Sequence, residues 1–115
     1  MTNQNLKLEE LQKFIQVEHQ RLIKIAGSGF DEHKRSLART VKLMEELGEL
    51  SNEIMAYYND QRKEKISGNI KEKIAEECAD VIIVTLLLAE NINIDVYAAL
   101  KEKIQKIRQR NLNTN

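Results

Sequence analysis

Two short stretches set carboxylates where a helix would ordinarily bury hydrocarbon. In KLMEELGEL, residues 42–50, Glu45, Glu46 and Glu49 stand among leucines. In AEECADVIIVTLLLAE, residues 75–90, Glu77 and Asp80 open an apolar run. Successive residues of an α-helix are about 100° apart, so Glu46 and Glu49 lie one turn apart on one flank, as do Glu77 and Asp80. Lys42 and Glu53 fall in the first sector, Lys73 and Val84 in the second. Ile74, Ala75, Cys78, Ala79, Val81 and Ile82 surround Glu77 and Asp80, which leaves that pair no polar face to retreat to. Burying an unpaired carboxylate costs several kcal/mol even after relaxation, and four packed together repel one another. Either some are protonated, or cations accompany them.

A divalent cation resolves the conflict. Carboxylate oxygens are the hard ligands that Mg²⁺ prefers, and Mg²⁺ commonly binds through a few carboxylates, waters and substrate phosphates. Two antiparallel helices, each offering two acids one turn apart, surround an ion from one side and leave the other open to a polyphosphate. Glu46, Glu49, Glu77 and Asp80 are the candidate ligands. Di-iron bundles instead use a Glu three residues before a His, and the residues at that spacing from His19 and His33 are Gln16 and Phe30. Oxygen-only chemistry with Mg²⁺ or Mn²⁺ is favoured, and both histidines are expected on exposed helix or loop. Cys78 reads as a small buried residue with no metal role. Glu53, Glu72, Glu90 and Glu102 read as solvated acids paired with lysines. Gly48 costs a helix about 1 kcal/mol relative to alanine, and close approach of another backbone is the expected reason.

The elements that must position these acids are helices. Proline is absent from the 115 residues, and charged side chains make up 31% of them, both signs interspersed, a pattern of solvated helix faces. The spacing of Leu11, Phe14, Ile15, Leu22 and Ile25 predicts a helix over residues 6–26, ended by Gly27 and Gly29. A second is predicted from Asp31 or Ser36 to Tyr58, with Leu43, Leu47, Leu50 and Ile54 on one face. Residues 59–69 read as a loop, with room for frayed helix at its edges. A third helix, residues 70–90, is apolar nearly all round after Asp80. Asp95 then caps a fourth, residues 96–110, with a stripe at Val96, Leu100, Ile104 and Ile107. No strand alternation appears, so the chain reads as one all-α four-helix bundle-like domain over residues 1–115, with 1–5 and 111–115 flexible. One chain of this length does not fully cover so apolar a third helix, which implies a homodimer or homotetramer.

Composition excludes several functions. The formal net charge is zero and the pI about 6.7, so the basic footprint of a nucleic-acid binder is missing. The longest nearly uninterrupted apolar run, residues 81–89, is half the roughly 18 residues that span a bilayer. A single cysteine and no basic-then-apolar leader point to the cytoplasm.

The acid motifs resemble those of the all-α nucleoside triphosphate pyrophosphohydrolases, the MazG-like group with its dCTP and dUTP pyrophosphatase relatives. That group carries EExxE and, downstream, ExxD; here these are Glu45-Glu46-Leu47-Gly48-Glu49 and Glu77-Cys78-Ala79-Asp80. The resemblance covers residues 39–103. It implies Mg²⁺-dependent cleavage of a nucleoside triphosphate to monophosphate and pyrophosphate. It also implies metal ligation by Glu46, Glu49, Glu77 and Asp80, with catalytic parts for Glu46 and for Glu45, which could assist an activated water or hold a further ion. Glu76 is a weaker candidate. Lys42, Lys103 and Arg110 are the implied phosphate contacts. Val84 stands where many relatives have a tyrosine, and Lys106-Ile107 where others have lysine-asparagine. Ile83-Val84 argues against the phosphoribosyl-ATP branch, which shows tyrosine-histidine there. With no tryptophan present, Phe14, Phe30, Tyr57, Tyr58 and Tyr97 are the stacking candidates. The alternative is a non-catalytic helical interaction module whose acids are structural or form a vestigial metal site.

Overall fold

The computed structural model describes residues 5–59 and 63–113, with the side chains of 63–68 left aside. Four helices follow one another: α1 (Leu8–Ala26), α2 (Glu32–Asn59), α3 (Lys63–Asn91) and α4 (Val96–Asn113). The expected loop at 59–69 is replaced largely by helix, because α3 begins at Lys63. The stretch is polar but holds no proline, and Gly68 is its weakest helix former, so the backbone extends the helix of the apolar run that follows. Residues 60–62, the rest of that predicted loop, lie outside the described residues, as do 1–4 and 114–115 of the termini expected to be flexible.

Local signals explain the boundaries. Gly27 adopts φ 86°, a conformation that costs glycine little, and its N–H caps the Ile23 carbonyl. Asp31 Oδ1 accepts from Lys34 N at 2.9 Å and so caps α2. Asp95 Oδ1 accepts from Ala98 N at 3.0 Å and caps α4 as the sequence predicts. Between α3 and α4 the chain turns through Asn93 at φ 58°, and α4 leaves α3 at a bend of 118°.

The principal contact is α2 against α3, with α1 packed on α3. The two long helices are antiparallel, and their facing residues come at alternating steps of four and three along each chain. On α2 these are Arg35, Arg39, Lys42, Glu46, Glu49 and Glu53; on α3 they are Asn91, Leu87, Val84, Asp80, Glu77 and Lys73. That spacing averages 3.5 residues, the repeat that keeps one seam between two helices. Arg35 with Asn91, Arg39 with Leu87, Glu46 with Asp80, Glu49 with Glu77 and Glu53 with Lys73 all share one residue-number sum, and that register places Val84 across from Lys42. Unlike a coiled coil, this seam is mostly polar.

The apolar core is small and lies at one end. Ile15 of α1, only 1% exposed, packs with Leu86 and Leu87, and Leu11, Leu22, Ile83, Val96 and Tyr97 surround them. Much of the expected apolar face is uncovered: Phe14, Ile25, Leu47 and Ile54 are exposed, as is the α4 stripe beyond Val96 at Leu100, Ile104 and Ile107. Cys78, expected to be buried, is exposed too, since α1 covers only the C-terminal half of α3. No single described helix is long and apolar enough to cross a membrane.

Candidate metal centre

The middle of the α2–α3 seam brings the predicted acids together. Glu46, Glu77 and Asp80 can each present one oxygen so that all three lie within 4.8 Å of one another. The register sets Glu46 against Asp80 and Glu49 against Glu77. In each pair the carboxyls stand within hydrogen-bonding reach. One turn further, Lys73 Nζ lies 3.7 Å from Glu53 Oε1, the lysine pairing expected for Glu53.

The electrostatics of this arrangement are unfavourable as they stand. Burial, reinforced by Glu49, raises the Glu77 carboxyl above the ordinary carboxylate range. Burial and then Glu46 raise Asp80, with Lys42 opposing. Glu46 is only 5% exposed, and Glu46 Oε2 and Glu77 Oε2 are buried with no hydrogen-bond partner. A buried oxygen without a donor bears its full desolvation cost, and two helices each contribute one to this part of the seam. Their chemistry fits a hard divalent cation: oxygen donors, more negative charge than the neighbouring cations cancel, and a side open to solvent at exposed Glu49 and Asp80.

The remaining candidates are distributed unequally. Lys42 belongs to the site, with Nζ 3.0 Å from Glu46 Oε1 and 3.9 Å from Glu45 Oε2. The bond to Glu46 is the main reason its ammonium is held protonated more strongly than usual. Glu45 faces solvent beside Lys42, and Glu76 is exposed on the flank of Asp80. Lys103 and Arg110 are exposed on α4, which does not pack substantially on α2 or α3, so the fold does not bring them to the acids. Of the stacking candidates, Tyr97 lines a cleft of about 340 Å³ with Gln12, Gln16, Glu90 and Asp95, beyond the core from the acids. Tyr57 and Tyr58 pack edge to face with centroids 4.9 Å apart. Gly48 has nothing within 4 Å of where a Cβ would stand, so no backbone approaches it and nothing in the structure explains it.

One functional element escaped the sequence: the basic half of the seam. Arg39 Nη1 donates to the Leu87 carbonyl at 2.7 Å and contacts His19 Nδ1 at 2.9 Å. A guanidinium only donates, so the imidazole accepts and is neutral, with its proton on Nε2. Burial first and Arg39 second lower the His19 pKa. His19, expected on an exposed surface, is thus a buried acceptor binding α1 to α2. Arg35 Nε donates to Asn91 Oδ1 at 2.8 Å, and Asn91 Nδ2 donates to the Glu32 carbonyl and to Ser36 Oγ. Extending the four-and-three spacing from Glu46 back to Arg35, and from Asp80 on to Asn91, would have found these residues. The apolar neighbours of Leu87 masked that signal.

Comparison with known proteins bears on this geometry. No curated protein and no solved structure gives a significant match. A family model does, that of the MazG nucleotide pyrophosphohydrolase domain, over residues 34–114. This span includes the whole acidic seam and α4 while leaving out α1. With most of its length matched and its acids converging between two antiparallel helices, the chain belongs to the MazG nucleotide pyrophosphohydrolase domain family.

Proposed function

We propose that this chain is a divalent-metal-dependent pyrophosphohydrolase that cleaves a nucleoside triphosphate to its monophosphate and pyrophosphate, serving house-cleaning or control of a nucleotide pool. The observation that carries the reading is the convergence of Glu46, Glu77 and Asp80 from two helices, each able to present an oxygen within 4.8 Å of the others, where Glu46 and Glu77 each also keep a buried oxygen without a hydrogen-bond partner.

Glu46, Glu49, Glu77 and Asp80 would hold the ion, Mg²⁺ with Mn²⁺ as a substitute. A metal bound there supplies charge neutralisation for the phosphates and a water of lowered pKa. The chain's own groups do the rest. Lys42, at the solvent edge, offers a donor to a phosphate oxygen. Glu45, its side chain 60% exposed, can accept the proton that the attacking water loses. As that water adds to the α- or β-phosphorus, the bond to the oxygen bridging them breaks, and pyrophosphate or the nucleoside monophosphate, respectively, departs with the bonding pair. Lys103 and Arg110 stand outside the site, so any contact they make with phosphate comes from another copy of the chain.

A homodimer or homotetramer is part of this reading. A folded monomer of this mass has an accessible surface of about 6,400 Å² and a radius of gyration near 13 Å. This chain exposes 9338 Å² with a radius of 17.9 Å. The excess, roughly 2,900 Å² per chain and so about 5,800 Å² for two, reaches the upper end of what obligate interfaces bury in total. Exposed Ile82 and Leu100 are the kind of side chain such an interface takes up.

The test is pyrophosphate release from a panel of canonical and modified nucleotides with Mg²⁺ or Mn²⁺. Turnover of at least one is expected, and Asp80→Asn should abolish it while the helical circular dichroism persists. No turnover of any nucleotide would favour the interaction module instead.

A further inference from the structure

The seam treats Lys42 unlike its neighbours. The register sets it opposite Val84, whose side chain offers no acceptor, whereas Arg39 reaches past the Leu87 side chain to its backbone carbonyl and Glu46 meets Asp80. Lys42 therefore turns along its own helix, and its ammonium reaches Glu46 Oε1 at 3.0 Å. The two partners differ in freedom. The Glu46 side chain is 7% exposed and fixed in the seam, while that of Lys42 is 57% exposed and can swing into solvent. The second oxygen of the same carboxylate, Oε2, is the buried one without a partner. A mobile monovalent cation thus holds one oxygen of the most buried acid in the cluster.

We propose that Lys42 is a built-in competitor for the metal ion, its ammonium and the divalent cation contending for Glu46. Two cations cannot share that carboxylate without repelling each other. Entry of the ion therefore displaces the ammonium, which has no side-chain acceptor across the seam and so swings to the open side, where exposed Glu45 already stands 3.9 Å away. A phosphate chain lying there gains the released donor. Lys42 accordingly weakens binding of the ion alone and strengthens binding of ion and nucleotide together, a coupling between two ligands through one side chain. This inference rests on the metal-centre reading.

The experiment titrates the full-length chain with Mn²⁺ in the absence of nucleotide, following free Mn²⁺ by electron paramagnetic resonance, and repeats it with a non-hydrolysable triphosphate. Lys42→Met should bind Mn²⁺ alone roughly two- to fivefold more tightly than the wild type, the factor corresponding to an exposed ion pair. It should also lose part of the gain that nucleotide confers. Lys42→Arg, which keeps the charge, should match the wild type. Lys71→Met, which removes an equal charge from an exposed position of α3, should change nothing. Unchanged or weaker Mn²⁺ binding by Lys42→Met overturns the proposal, as does an equal tightening by Lys71→Met. No Mn²⁺ binding by any of the proteins refutes the metal centre itself, an outcome distinct from binding that ignores Lys42.

Discussion

Replacing Glu46 by glutamine should make the protein more stable in chelator and insensitive to divalent ions. The carboxylate is almost fully buried, with one oxygen held by Lys42 and the other by nothing. Losing the Lys42 bond removes at most about 1 kcal/mol, because that lysine is largely in solvent. Against this stands repulsion from Asp80, whose oxygen can lie within 4.8 Å of that of Glu46. Coulomb's law at this distance gives about 1 kcal/mol in a water-like dielectric and about 3 kcal/mol at an effective constant of 20. Asp80 is exposed, so the lower figure governs. Repulsion and ion pair then nearly cancel, and the balance is tipped by the desolvation cost of the one unpartnered oxygen, about 1–3 kcal/mol. An uncharged amide escapes most of that cost and can donate to Asp80. A net gain of about 1 kcal/mol raises the melting midpoint of a domain this size by roughly 4 °C. The wild type gains on adding metal instead: an ion at a hundred times its dissociation constant contributes about 2.7 kcal/mol. The order of stability should therefore cross, the variant melting higher in EDTA and the wild type higher in saturating Mg²⁺. Paired thermal melts by circular dichroism measure this directly. A variant that melts lower in EDTA, or that keeps the full Mg²⁺ shift, would refute the claim that Glu46 is a strained ligand.

Three further outcomes follow from the packing. His19 has a lowered pKa in the folded chain, so below about pH 6.5, where a free imidazole takes up its proton, the unfolded state binds more protons and stability falls with pH until the folded imidazole is protonated too. Urea midpoints between pH 7.5 and 5 should show that decline in the wild type and less of it in His19→Asn, which keeps an acceptor for Arg39; equal slopes would remove His19 from the account. Ile15→Ala should cost about 3 kcal/mol, since Ile15 is the deepest side chain of a small core, and a loss under about 1 kcal/mol in urea titration would mean that α1 is not anchored there. Light scattering after gel filtration should find a multiple of the 13.3 kDa chain mass, and Ile82→Glu, altering a side chain 55% exposed, should shift it toward one chain; a wild type already at single-chain mass would remove the oligomer.

The acids were legible in the sequence because a helix fixes angle by residue number. Glu46 with Glu49, and Glu77 with Asp80, had to share a flank once each segment was helical, and the cap at Asp95 followed from a side chain that bonds its own backbone; between Asp31 and Ser36 as the start of α2, the structure chose Asp31. Residues 63–69 were misread as loop because polar composition marks solvent exposure, and a solvated helix is as polar as a loop. His19 was misplaced because nothing near it in sequence announces Arg39, twenty residues away. Lys42 was placed in the right sector, yet its hold on Glu46 depends on what stands across the seam.

Local spacing and motif order already carried the acid pairs, the family and every helix apart from the first turns of α3. The register came from the packing of α2 on α3. That register sets Glu46 against Asp80, leaves Lys42 opposite a hydrocarbon, and binds Arg39 to a carbonyl and an imidazole from two other helices. The physical reason is that facing partners are chosen by how two long helices slide past each other. One residue type cannot encode that choice, whereas a polar seam that satisfies its donors in a single alignment can.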